Sequence, residues 1–437
     1  MTPVDASGTK PGLVRGITRL HLIGLLINTT VGAGILGLPS KAYALVGSFS
    51  LFTWLLCATV VLGIALCLAE VSTRFRESGG PYLIAHTAFG PTVGFATGWL
   101  RLFTSVLAYA TVCNLLLGYL ALVLPEVGGP RGRAIAITAI TGALAFVLVR
   151  GVRQTAWVST AISAGKMLLL VGFVVLAAFH FQPSRVTWTP VPAASDFAAA
   201  SLLSIFAFFG FEAGSISGGE LADPDRDQPI AIFTSVGVTT LLYVLLQFAC
   251  IGTLGSLATS TRPVADAAIA MVGDGGGVVI TAGAVVLLLG VLVSLMLGAS
   301  RTLLAMGERA QLPRTVARIH SRYRTPVAAI GVACLAAWAA TLASTFTTAI
   351  TIAVGTRVLS YIVVCAALPT LRRRGDVAPA RFRLPAGDLI AALSILASIA
   401  LIAAARVSEL VALAALVVIG LVAQRVLRPV PDPGEPG

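Results

Sequence analysis

Apolar runs of about 20 residues recur along nearly the whole of this chain, each long enough to cross a hydrocarbon core roughly 30 Å thick as a helix. In lipid every backbone N–H and C=O must be satisfied within the protein, so only helices or closed barrels can span it. The alternating ten-residue pattern of a barrel strand is absent, and the spans therefore read as helical. Composition agrees, with 57% hydrophobic and 11% charged residues among 437, against roughly 25% charged in a soluble globule. The expected fold class is an all-α integral membrane protein.

The runs give twelve spans, at about 17–39, 46–73, 92–124, 133–150, 154–181, 197–219, 229–254, 277–306, 326–344, 347–371, 386–405 and 408–427. An even number returns the C-terminus to the side of the N-terminus. If that side is the cytoplasm, about 21 of the 30 Lys and Arg fall in cytoplasmic segments and about 6 outside, which fixes the orientation. The net charge of +12 then reports topology and gives no reason to expect nucleic acid. The clusters at 309–324, 372–383 and Arg425/Arg428 read as anchors touching lipid headgroups. Segments 1–16 and 428–437 are expected to be cytoplasmic tails, the first without the apolar region of a cleaved signal. Six cysteines lie inside apolar runs without CxxC spacing, so neither a disulfide framework nor a zinc site is suggested.

The first span is interrupted. Its stretch NTTVGAGILGLP (28–39) places Gly32, Gly34, Gly37 and Pro39 where a continuous helix would need helix formers. Broken backbone at membrane depth is tolerated where it lines a polar cavity or grips a ligand; a small-residue packing face is the alternative. The sixth span carries a second break, FAFFGFEAGSISGG (206–219), in which Glu212 sits at a depth where an ionisable group needs a partner or a wet cavity. Breaks five spans apart enter the membrane from opposite sides, as an inverted repeat of five plus five helices requires, with substrate between the two discontinuous helices. The repeats would be 17–181 and 197–371, with 386–427 outside them.

Lys166 lies about 20 Å from either end of span five at 1.5 Å per residue, too far for its ammonium to reach water along the helix. Three readings stand: a fixed charge in place of a bound sodium ion, a proton carrier, or a structural lysine bonded to carbonyls of the broken first span. All three put it near that break. Arg101, near the start of span three, reads as an interfacial anchor or inner-gate partner. Arg357 lies deeper in span ten, and Glu70 and Glu308 are candidate partners for interfacial arginines. His21, His86, His180 and His320 show no metal-ligand spacing, and the GxxxxGK[ST] phosphate loop is absent. Neither a metal, a cofactor nor an enzymatic activity is expected.

Five local stretches resemble the amino acid–polyamine–organocation (APC) superfamily of secondary transporters over about residues 17–375. They are GAGILGLP (32–39), SGGPYLIAHTAFG (78–90) followed by GW (98–99), GVRQTAWVSTAISAGK (151–166), FFGFEAGSISGGELADPDRDQPIAI (208–232) and SRTLLAMGERAQLPRTVARIHSRYRTP (300–326). The resemblance implies a LeuT-type fold working by alternating access in the cytoplasmic membrane. It implies that the substrate carboxylate meets backbone N–H groups around Gly32, Ala33, Gly34 and Ile35, and the ammonium meets carbonyls near Thr30 and Phe209. Phe206 becomes the outer gate beside Gly210 and Glu212, and Lys166 the residue that sodium-independent members carry in place of a sodium site, leaving proton coupling or exchange as the energy source. Ala33 offers no hydroxyl, and Phe206 stands where exchangers of cationic substrates carry tryptophan, weakening a cation–π argument; neutral, apolar amino acids are the expected substrates. The partners implied are the amino acid, protons, membrane lipids and a second copy in a homodimer. An exchanger or exporter of amino acids or polyamines, and a non-transporting sensor, are the alternatives.

Overall fold

The computed structural model describes residues 19–75, 80–151, 156–188, 190–212, 224–309, 311–313 and 315–427, with backbone alone for 156–163 and 224–225. The described residues are helical throughout their ordered elements, without strands. Among the described residues seven helical stretches are long and apolar enough to cross a membrane, and five shorter apolar helices of 10–17 residues accompany them. This is a multi-pass membrane protein.

The first span is two half-helices, α1 (Arg19–Thr30) and α2 (Gly34–Val46), separated by non-helical backbone at 31–33. After α3 (Ser50–Ser72) come α4 (Gly80–Phe89) and α5 (Pro91–Leu120). Pro91 starts α5 with its φ preset and no N–H to leave unpaired, directly after Gly90 at φ 89°. The same Gly-Pro device opens α6 (Pro130–Arg150). Helix α7 (Ala156–His180) carries Lys166, and α8 (Ala194–Ser204) tightens into a 3₁₀ turn at Ile205–Phe208 before the backbone extends at Phe209. The second break thus begins at Phe209; its remainder, 213–219, lies outside the described residues.

Further along come α9 (Pro224–Thr253), α10 (Pro263–Val272), α11 (Asp274–Glu308), α12 (Val327–Ala343), α13 (Phe346–Arg372), α14 (Gly387–Ala403) and α15 (Val407–Leu427). Helices α4 and α10 are absent from the twelve-span reading. Ten residues each rise only about 15 Å, so the apolar runs that betray full spans do not betray them. Both end at glycines with positive φ, Gly90 and Gly273.

Helix α5 is the centre of the bundle. It packs against α4, α11, α12, α13 and α15, and 72% of its most apolar window is buried, against 22% for α6 and 17% for α15, which face outward. At one end of the bundle Glu70 is 0% exposed. Its two oxygens accept from Arg372 Nε at 2.8 Å and Nη2 at 2.7 Å, and Oε2 also accepts from the Leu384 backbone N–H at 2.8 Å. This fork ties α3 to the end of α13 and to the approach to α14. Arg372→Ala strands a buried carboxylate and is expected to destabilise the protein by roughly 3–5 kcal/mol, read as a lowered Tm in detergent; an unchanged Tm would show that the fork contributes nothing to stability.

Candidate functional site

The two interruptions face each other. Gly34 opens α2 so close to the second break that a Cβ added there would lie 2.5 Å from Ala207 Cα and 2.7 Å from Ala207 Cβ. Gly210 has φ 119°, a conformation side chains rarely adopt, and a Cβ on it would strike the Thr29 carbonyl. Thr29 Oγ1 donates across the gap to the Gly210 carbonyl at 3.0 Å. Tyr243 on α9 points its hydroxyl at the carbonyls of both breaks, Thr30 at 3.0 Å and Ala207 at 2.7 Å. The one hydroxyl proton is shared between two carbonyls that have lost their helical N–H partners, with Ala207 the nearer.

A cavity of about 350 Å³ opens at this junction, within the range of ligand pockets, roughly 300–1,000 Å³. Thr30, Gly32, Ala33, Gly34, Phe206, Phe209, Gly210, Glu212 and Lys166 all line it. Ile35 does not; its side chain is fully buried behind the wall, although its N–H belongs to the first turn of α2. The N–H groups of Ala33, Gly34 and Ile35 have no intrahelical acceptor, and the positive end of the half-helix adds to them a field that favours an anion.

Lys166 meets the first break from the other side. Its Nζ donates to the Asn28 carbonyl at 2.6 Å, Asn28 Oδ1 at 2.7 Å and the Val31 carbonyl at 2.7 Å. An ammonium has three protons, and all three are placed. The acceptors lie where α1 ends, the negative pole of that half-helix.

Glu212 is held rather than free. Its Oε1 lies 2.7 Å from Arg357 Nη2, while Oε2 accepts from the Gly210 N–H at 3.0 Å and the Tyr361 hydroxyl at 3.2 Å. Arg357 also stands 5.0 Å above the Phe209 ring, and Phe209 packs against Phe206 with centroids 5.3 Å apart. The second break is therefore braced by α13 through the Arg357 ion pair, the Tyr361 hydrogen bond and the stacking of Arg357 on Phe209.

Arg101 is a correction. The sequence places it near an interface, yet it lines the central cavity with Ser105, Ala108 and Val112. The span read from sequence starts within one residue of Pro91, so the depth of Arg101, about 15 Å along α5, was already legible; the error lay in letting its side chain reach back to the interface, whereas it turns into the cavity. The i, i+4, i+7, i+11 spacing of that stripe is the signal that could have found it. Tyr243, Tyr361 and Asn28 were also missed, because a tyrosine or asparagine in an apolar helix gives no hint of which carbonyl it will meet.

Tyr243→Phe keeps the ring and removes the hydroxyl that bridges the breaks. Leaving those buried carbonyls unsatisfied is expected to cost roughly 1–3 kcal/mol, visible as a lower Tm and weaker substrate binding. Unchanged values for both would remove the bridge from the account of the site.

Two interruptions converging on a polar cavity are the arrangement in which transporters hold ligands at discontinuous helices. The amino acid permease family matches residues 17–423, and this chain belongs to that family. It is similar to the serine/threonine exchanger SteT of Bacillus subtilis, 29% identical over 332 residues covering 73% of this chain and 74% of the relative. An uncharacterized transporter of Mycobacterium tuberculosis is 30% identical over 336 residues, 74% and 73% of the two chains. The branched-chain amino acid permease BcaP of Bacillus subtilis is 26% identical over 423 residues, 90% and 88% of the two chains.

Proposed function

We propose that the protein is a sodium-independent secondary transporter that carries amino acids across the bacterial cytoplasmic membrane by alternating access. The observation that carries this reading is the meeting of two helix interruptions at one cavity, where α2 presents unpaired N–H groups to a carboxylate while Lys166 occupies the oxygens at the end of α1. Oxygens engaged by an ammonium cannot also hold a sodium ion. Energy then comes from protons, with Lys166 as the coupling residue, or from exchange against a second amino acid.

In this reading the helices form a LeuT-type arrangement of twelve spans, with repeats at 17–181 and 197–371, α14 and α15 outside them, and both tails, 1–16 and 428–437, in the cytoplasm. The outer faces of α14 and α15, with exposed Leu393, Leu396, Val411 and Val418, meet lipid or a second copy in a homodimer. Phe206, 7% exposed over the cavity, is the gate. The amino group of the substrate sits by the carbonyls of Thr30 and Phe209. The neutral, apolar side-chain class expected from sequence took no account of the cations at the cavity, where Arg101, Lys166 and Arg357 accompany Glu212 among the described residues.

Uptake into proteoliposomes of a radiolabelled amino acid panel tests the reading, with an inward proton gradient, an inward sodium gradient, or no gradient and unlabelled amino acid inside. Accumulation driven by protons, or flux only with internal amino acid, supports it as symporter or exchanger respectively. Sodium dependence would overturn the assignment of Lys166. Binding without flux in any arm would make the protein a sensor.

A further inference from the structure

We propose that the cavity selects amino acids carrying a second carboxylate, and that Arg101 is the specificity-determining residue that reads it. The inference rests on the amino acid site proposed above and deepens it by naming the substrate class.

The charge inventory of the cavity is lopsided. Among the described residues, Arg101, Lys166 and Arg357 line it against one carboxylate, Glu212, a formal excess of two positive charges. Arg357 has Glu212 at 2.7 Å. Lys166 is satisfied by oxygens without charge except for their dipoles. No hydrogen bond or ion pair joins the Arg101 side chain to a described residue; its charged neighbours are Arg357, which repels it, and Glu212, which attracts it from a distance while paired with Arg357. The Nε of Arg357 is likewise buried without a partner among the described residues.

Depth makes this imbalance consequential. Arg101 stands about 15 Å into a helix that crosses a core roughly 30 Å thick. An ionised side chain there is tolerated when it faces a wet cavity and meets an opposite charge. Arg101 has the cavity and, among the described residues, no carboxylate of its own. A zwitterion with a neutral side chain adds no net charge, and its α-carboxylate is already provided for at the start of α2. A second carboxylate lowers the excess to one and matches the planar fork of a guanidinium. A polyamine would raise the excess, so the charge inventory also argues against that alternative.

The test is ligand binding and uptake with the full-length wild type, R101Q and R101K, using glutamate, aspartate, glutamine, leucine and putrescine as probes. Glutamate differs from glutamine by the charge alone. Wild type is expected to bind glutamate or aspartate at least about tenfold more tightly than glutamine, since a site with an unpaired buried polar group discriminates strongly against a ligand that leaves it so. R101Q is expected to erase that preference and R101K to restore part of it. Wild type binding glutamine or leucine as tightly as glutamate would overturn the proposal, whether or not R101Q folds. Equal weakening of every ligand in R101Q, with no rescue of the preference by R101K, would overturn it too, assigning Arg101 to gating or folding. Glutamate binding without flux would refute transport and leave the substrate class standing; flux of neutral amino acids alone would do the reverse.

Discussion

Replacing Lys166 with alanine is expected to reduce substrate binding and uptake at least about 100-fold while leaving the yield of folded protein near that of the wild type. The ammonium holds three oxygens of the first break at 2.6–2.7 Å, and hydrogen bonds to a charged group contribute roughly 1.5–3 kcal/mol each. Losing even two of them amounts to about 3 kcal/mol or more, and each 1.4 kcal/mol is tenfold in an equilibrium. Without that clamp the ends of α1 and α2 lose the relative position that aims the N–H groups of Ala33, Gly34 and Ile35 into the cavity. Folding should survive, because the freed oxygens border a cavity that water can enter. Proteoliposome uptake measured across a pH series is the check. If uptake by the alanine variant keeps both the rate and the pH profile of the wild type, Lys166 has no part in coupling.

Gly34→Val is expected to abolish binding and to lower the Tm, and Gly34→Ala to do both more weakly. From sequence, a bulky residue there would fill space that the backbone needs. The structure names the neighbour: Ala207, whose Cα would lie 2.5 Å from the new Cβ. Backbone cannot swing aside as a long side chain does, so the two breaks must separate. Overpacking of this kind costs typically about 1–3 kcal/mol, and it also pulls apart the Thr29–Gly210 and Tyr243 bonds that join the breaks. Ala207→Gly in the Gly34→Ala background should rescue only in part, because it removes the clash with the Ala207 methyl group and leaves the clash with the backbone behind it. Binding by the valine variant at wild-type affinity and Tm would mean that this close approach is dispensable.

Much of the site was legible because membrane depth makes certain residues conspicuous. Glycines that interrupt a span, a carboxylate beside them and a lysine far from either end of its helix each violate what lipid allows. Each violation marks a place where the fold must supply something. Thr30, Gly32, Ala33, Gly34, Phe206, Phe209, Gly210, Glu212 and Lys166 were named on that ground or by resemblance, and they share one cavity. Arg101 was misplaced although its helix start was read to within one residue, because the face of α5 that meets the cavity is set by packing.

Sequence by itself determined that this chain lies in the membrane as helices, since runs of that length and apolarity have no other way to satisfy their backbone. It also determined where two of those helices break. Tertiary structure decided what the breaks touch. Partners separated by 138 residues for Lys166 and Asn28, or by 149 for Tyr361 and Glu212, are set by how the bundle closes, and no local spacing encodes that closure. The same holds for charge: Arg101, Lys166, Arg357 and Glu212 lie far apart along the chain, and packing brings them, among the described residues, to one cavity.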